Sequence, residues 1–229
     1  ENAFFEVWND FRWYMRRKEK PNSEALNEAL ETWIRLLAPF TPHVCEEIWQ
    51  RMKRKGFVSL AEWPTYDGNK VSIKAEETEN LIGKVLGGTS NILQATKIQP
   101  NRICYYSAAP WKWKVYMKAL DKSMQGRVVV SDLMKELVTD PQLRRIANEV
   151  AKFTNAIISE INEMSEERKQ RQLEAKTIDE YQALKEAEDF FQKEFNAEIS
   201  VYREDEPKRY DPKKKASLAR PYRPAIFIE

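Results

Sequence analysis

His43, Cys45, Glu46 and Glu47 stand close together in the stretch TPHVCEEIW, residues 41 to 49, and His43 is the only histidine of the chain. Imidazole, thiolate and carboxylate are the donors of a zinc centre, and a Cys-His pair is one form of activated nucleophile. Helical geometry removes both readings. On a helix starting at Thr41, His43 and Glu47 share a face and Cys45 points elsewhere, so two ligands converge where zinc sites use three or four. Cys45 and His43 are two apart and face away from each other, with no third group to orient them. The stretch reads instead as a helix start. Thr41 is expected to cap it and Pro42 to take its first position. Phe40 would pack on Cys45 as a staple, with Val44, Ile48, Trp49 and Met52 facing the core.

No other stretch supplies a reactive constellation. GKVLGGTSN, residues 83 to 91, lacks the G-x-x-x-x-G-K-[ST] order of a phosphate-cradling loop. The carboxylates of residues 163 to 189 alternate with lysine and arginine, as on a solvated helical face. No catalytic, cofactor-binding or metal-ligating residue is expected. Charge is more informative. Basic and acidic residues nearly cancel, 38 against 36, yet the basic ones cluster. Residues 99 to 130 hold Arg102, Lys112, Lys114, Lys118, Lys122 and Arg127 against the single acid Asp121, with Lys114, Lys118 and Lys122 on one helical stripe. Residues 207 to 229 add Lys208, Arg209, Lys213, Lys214, Lys215, Arg220 and Arg223 against Asp211 and Glu229. Two positive patches in one domain suit contacts to phosphates, which need little beyond donors and charge. Trp113 falls on the core face of its helix, and Trp111 is open to either a core or a stacking role.

The elements that must carry these residues are mostly helices. Phe4, Trp8, Phe11 and Met15 recur at helical spacing, and Leu26, Leu30, Trp33 and Leu37 repeat the pattern after Asn22 and Ser23, either of which can cap. A third helix starts at Thr41, and a fourth runs from about Ala75 to Thr96 on Leu81, Val85 and Ile92. Gly87 and Gly88 inside it call for close packing or a kink. Residues 1 to 98 thus read as a helix bundle. The texture changes at Gln99-Pro100, where RICYYSA is β-branched and aromatic, and a domain boundary is placed there. Leu143 to Met164 give the longest apolar stripe, and Tyr181, Leu184, Ala187 and Phe191 another. Residues 101–107, 197–204 and 224–229 read as short strands of one sheet, so residues 99 to 229 form a small α+β domain. The closing AIFIE is expected to dock as a strand, because Ile226, Phe227 and Ile228 favour burial.

Cys45 and Cys104, far apart and outside any Cys-x-x-Cys pair, fit a reducing compartment, and the chain is read as cytoplasmic. No apolar run approaches the ~20 residues that span a bilayer. The opening at Glu1, with helical spacing already under way, is expected of a chain that begins inside a domain.

LLAPFTPHVCEEIWQRM followed by SLAEWP resembles the anticodon-binding helix bundle of class I aminoacyl-tRNA synthetases of the leucine, isoleucine, valine and methionine group. Pro39, Pro42, His43, Glu46, Glu47 and Trp49 carry the likeness, with Trp63 and Pro64 after them. The order of the second domain and the closing RPAIFIE resemble the C-terminal extension of archaeal and eukaryotic cytosolic leucyl-tRNA synthetases. The resemblance implies a mainly α chain: an anticodon-binding-type helix bundle followed by a small α+β C-terminal domain. It implies a tRNA-positioning part of a leucine-tRNA ligase whose ATP- and Mg2+-dependent catalytic motifs and editing domain are absent here. The partners implied are leucine tRNA, with its long variable arm, and the catalytic domain of the same polypeptide. Lys114, Lys118, Lys213, Lys214 and Lys215 would contact phosphates, and Arg220, Arg223, Ile226, Phe227, Ile228 and Glu229 the tip of the arm. Two other readings stand beside this one. Another synthetase of the group would share the bundle, and a protein-assembly module would expose Ile157, Ile161, Phe190 and Phe191 with no role for RNA.

Overall fold

The computed structural model describes residues 2–229, with side chains from Phe4 onward. The chain forms two compact units, residues 1–71 and 72–229.

In the first unit a π-helical segment, Asn2–Glu6, leads into α1 (Val7–Arg17), followed by α2 (Ser23–Leu37) and α3 (Pro42–Arg51). Asn22 is the residue that caps α2, its Oδ1 accepting from the amides of Glu24 at 2.8 Å and Ala25 at 3.2 Å. Phe4, Trp8 and Phe11 gather around Trp33 with ring centroids 6.0, 6.3 and 5.5 Å away. Phe4, Trp8 and Met15 nevertheless remain exposed. The core proper is Ile34, Cys45, Trp49 and Val58, packed on by Leu30, Leu37, Ile48 and Met52.

The start of α3 corrects three expectations. Phe40 and Val44 are exposed, and Cys45 takes the buried position. Cys45 lies on the same face as Trp49 four residues on, which turns Val44 outward, and Phe40 stays 79% exposed. Pro42 does occupy the first turn, but Thr41 makes no side-chain cap. Its hydroxyl donates to the Leu37 carbonyl instead. Glu46 explains the acidic pair: its carboxylate accepts from the amides of Val58 (3.0 Å) and Ser59 (3.3 Å) and from the Ser59 hydroxyl (3.2 Å), locking the following turn to the helix. Glu47 pairs with Arg51 one turn on, and Trp49 Nε1 donates to the Lys55 carbonyl.

The second unit opens with α4 (Ile73–Thr96), capped by Ser72, whose Oγ accepts from the Ala75 amide. Compactness therefore divides at residue 71, whereas sequence texture changes at residue 99. The difference has a physical source. α4 packs on α9 (Glu166–Ala175) and α10 (Glu180–Glu186), and Tyr105 donates to Thr89, whose own hydroxyl donates to the Val85 carbonyl. Between α4 and α9 lie β1 (Arg102–Ser107), α5 (Pro110–Ser123), α6 (Val130–Leu137), α7 (Pro141–Arg145) and α8 (Ala147–Glu163). After α10 come α11 (Glu188–Phe195), β2 (Glu198–Arg203) and β3 (Ala225–Ile228). The two long apolar stripes are each broken once: Ile146, at φ −115° and ψ 31°, separates α7 from α8, and Ala187, at φ −98° and ψ 0°, separates α10 from α11.

The sheet has the order β2-β1-β3, with β1 parallel to β2 and antiparallel to β3. One face, with Tyr105, packs on Phe191 of α11 at 4.9 Å between rings. The other, with Cys104, Tyr106, Ala225 and Phe227, is covered by Ala216 and Ala219 of the segment between β2 and β3. A Cβ on Gly88 would meet Ile226 Cδ1 at 3.4 Å, so this glycine lets α4 approach β3 closely. A Cβ on Gly87 would meet nothing. Among the described residues no helix is long and apolar enough to cross a membrane.

Candidate nucleic-acid interface

The expected contact residues fall into two groups with different electrostatics. The first is the stripe on α5. Lys114 Nζ bonds Asp140 at 3.3 Å and Gln142 Oε1 at 2.9 Å, Lys118 lies 3.5 Å from Glu136, and Lys122 also pairs with Glu136. Lys122 and Lys118 together hold the Glu136 carboxyl below the usual glutamate range, and the Gln142 amide followed by Lys114 does the same for Asp140. The helical stripe exists as expected, but α6 and the start of α7 already supply it with counter-charges.

The second group lies on the segment after β2. Asp211 folds it: its carboxylate accepts from the amides of Lys215 at 2.7 Å and Ala216 at 3.0 Å. Lys213, Lys214 and Lys215 are consequently displayed on an ordered turn. All three are exposed, and among the described residues none makes a side-chain ion pair or hydrogen bond. Arg220 and Arg223 close a tight turn by exchanging backbone hydrogen bonds of 3.0 and 2.9 Å. Pro221 takes its first corner and Tyr222, at φ +62°, its second. Arg223 is exposed, while Arg220 reaches the Ala156 carbonyl at 3.2 Å and Glu160 at 3.5 Å.

β3 follows directly. Glu229 and Arg102 exchange backbone bonds of 3.0 Å each, and the Glu229 carbonyl also accepts from Asn101 at 2.7 Å. Its side chain accepts from the Tyr210 hydroxyl at 2.8 Å. The Glu229 groups expected to face a ligand are thus engaged within the sheet, and Phe227 is buried. In an antiparallel ladder bonded and non-bonded pairs alternate. With Arg102 and Glu229 a bonded pair, the N–H and C=O groups of Ile226 and Ile228 point away from β1, along the open edge of the sheet. Of the four tail residues, these two offer main-chain donors and acceptors.

The scaffold beneath this segment was not legible in the sequence. Lys112, counted there as one more surface cation, is buried. Its ammonium donates to the carbonyls of Ser217 (2.9 Å) and Ala219 (2.7 Å) and pairs with Glu204 at 2.8 Å. Burial raises the Glu204 carboxyl above its ordinary range, against the pull of Lys112. Glu180 is also buried, accepting from the amides of Tyr222 at 2.6 Å and Ala108 at 3.1 Å, and burial pushes its carboxyl up to about 8. Pro110 at the start of α5 and the helical spacing of Trp113 marked which face of α5 turns inward, but the partner of Lys112 lies 92 residues away in Glu204. Trp113 is core, as its spacing implied, and Trp111 is half-buried with its ring edge-on to Phe153 at 5.4 Å. Cys45 and Cys104 are free and buried, and burial pushes the Cys104 thiol up to about 11.

His43 is exposed, and among the described residues no three His, Cys, Asp or Glu side chains gather as a metal site would need. The residues of the assembly reading, Ile157, Ile161, Phe190 and Phe191, are all buried in the second unit and present no surface.

Residues 1–105 match the family described as "Anticodon-binding domain of tRNA ligase". The whole chain is similar to part of the leucine–tRNA ligase of Methanococcoides burtonii, at 40% identity over 100% of this chain and 24% of that protein. The leucine–tRNA ligase of Methanosarcina barkeri is 38% identical over 100% of this chain and 23% of its own length. That of Pyrococcus abyssi is 38% identical over 99% and 22%. The chain therefore spans about a quarter of the length of the relatives it matches.

Proposed function

We infer, from the similarity of the whole chain to part of archaeal leucine–tRNA ligases and from the match of residues 1–105 to the anticodon-binding family, that it is the tRNA-positioning C-terminal portion of an archaeal-type leucine–tRNA ligase. Residues 99–229 hold the long variable arm of leucine tRNA, and the helices of residues 1–98 brace the tRNA body. Leucylation, with its ATP and Mg2+, belongs to a catalytic domain elsewhere in the same cytoplasmic polypeptide, and no step of it runs through residues of this chain.

One observation carries the reading: Lys213, Lys214, Lys215 and Arg223 stand exposed, with no ion pair among the described residues, on the segment that leads into β3 and the outward main-chain groups of Ile226 and Ile228. Unneutralised cations release counterions from a phosphate backbone, and main-chain groups at an open strand edge can hydrogen-bond the exposed base edges of unpaired nucleotides. Lys114 and Lys118 contribute less, because a phosphate there must displace Asp140 or Glu136.

The test is binding of this chain to leucine-tRNA transcripts with the natural arm and with the arm shortened, over a salt series. The reading expects preference for the long arm and a steep loss of affinity with salt. Equal affinity for both transcripts would assign the chain to another synthetase of the group. An Ile228→Pro variant removes one outward N–H at an edge position where proline is tolerated, and it should lower the preference without unfolding the sheet.

A further inference from the structure

A cleft of about 550 Å³ opens in the second unit between α4, the α8 to α9 corner and the segment 221–226. Its wall carries three cations from three different elements: Lys84 of α4, Arg168 of α9 and Arg223 of the turn. Its other lining residues include the apolar Ile92, Met164 and Ile226 and the buried aromatic Tyr116 and Tyr222, with Tyr116 donating to Gln172 at 2.8 Å. Acids are fewer there. Glu160 is drawn to Arg220 at 3.5 Å, and Glu77 is held by Arg171 at 2.7 Å, with Arg168 farther off at 3.7 Å. Lys84 makes no ion pair within 4 Å among the described residues. Desolvation at the cleft wall, and after it the positive charge of Arg168, lowers its pKa. Two like charges held together on one wall form a site that a bound anion would stabilise.

The volume lies within the ~300–1,000 Å³ typical of small-molecule pockets and exceeds what a phosphate alone would fill. Cations at the rim with an apolar flank match a group that is anionic at one end and flat and apolar at the other. We propose that this cleft seats one unstacked nucleotide of the bound RNA, its phosphate between Lys84, Arg168 and Arg223 and its base against Ile92, Met164 and Ile226. Single-stranded tips present bases in this way, splayed from the helix. The inference rests on the variable-arm reading above, since Arg223 and Ile226 belong to both surfaces. It adds α4 and α9 to the RNA-contacting elements.

The experiment measures the affinity of the chain for long- and short-armed leucine-tRNA transcripts with three variants: Lys84→Ala, Lys84→Arg, and Ile92→Trp, which fills the cleft from an exposed helical position. Thermal melts check that each is folded. The expected result is a long-arm preference that falls about tenfold in Lys84→Ala and Ile92→Trp and survives in Lys84→Arg, with single abasic sites in the arm showing one position whose loss weakens the wild type but not Ile92→Trp. A wild type that prefers the long arm while both disruptive variants keep that preference overturns the cleft and leaves the variable-arm reading standing. A wild type indifferent to the arm overturns both. Adenosine monophosphate competing at concentrations equal to the tRNA would overturn the RNA assignment in favour of a free nucleotide.

Discussion

Replacing Lys112 by methionine should be among the most damaging single changes in the second unit. The ammonium makes three short contacts, to Glu204 (2.8 Å) and the carbonyls of Ser217 (2.9 Å) and Ala219 (2.7 Å), with its side chain only 5% exposed. Methionine keeps much of the volume and loses all three. The Ser217 carbonyl can turn to water, but Ala219 is buried, and Glu204, 12% exposed, keeps only the Ala109 amide at 3.3 Å. Breaking a buried pair in this way costs about 3–5 kcal/mol. At roughly 2–4 °C per kcal/mol for a unit of this size, the melting transition of the second unit should fall by about 6–20 °C. Adding Glu204→Gln removes the stranded charge, so the double variant should recover about 1–3 kcal/mol against the sum of the singles. Scanning calorimetry on the four proteins of the cycle measures this directly. A Lys112→Met loss below about 1 kcal/mol would refute the claim that Lys112 fastens the 211–219 segment to α5, and strict additivity would refute its coupling to Glu204.

Glu180→Gln should flatten the pH dependence of stability. The folded carboxyl titrates near 8 against an ordinary 4.5, so the folded state holds a proton that the unfolded chain has released. Wild-type stability then declines as pH rises from about 4.5 to 8, by at most about 1.4 kcal/mol per pH unit; denaturant melts with the same slope in both proteins would contradict this. Glu46→Ala leaves the amides of Val58 and Ser59 without their acceptor and should cost the first unit about 1–3 kcal/mol, read from urea melts followed by tryptophan fluorescence. Replacing Lys213, Lys214 and Lys215 together by alanine should lower the slope of log affinity for tRNA against log salt by about 2–3. An unchanged slope would remove these lysines from the interface.

The elements legible in the sequence were those whose signals are local. Asn22 and Pro42 mark helix starts because caps and first turns are read within four residues, and the three strands announce themselves by β-branched and aromatic runs, whereas α4 starts at Ile73 after its cap Ser72, a little before the expected Ala75. Local reasoning misplaced Phe40 and Val44, since which face of α3 turns inward depends on the core it meets at Ile34 and Val58. It joined α7 to α8 and α10 to α11, because an apolar stripe continues across a break of one residue. The basic stretches were visible, but their availability was not: Glu136 and Asp140 neutralise one, Lys112 is buried under another, and the 213–215 run stays open. Lys84 and Arg168 gave no signal at all, lying 84 residues apart on helices that read as ordinary solvated faces and meeting only in the folded second unit.

The central claim is that residues 208–229 grip the variable arm of leucine tRNA, and a hydroxyl-radical footprint of that tRNA bound to this chain tests it most directly. Protection concentrated on the variable arm, weakened in the Lys213, Lys214, Lys215 triple alanine variant, is the predicted result. A footprint confined to the anticodon stem, or no protection at low salt, would contradict it.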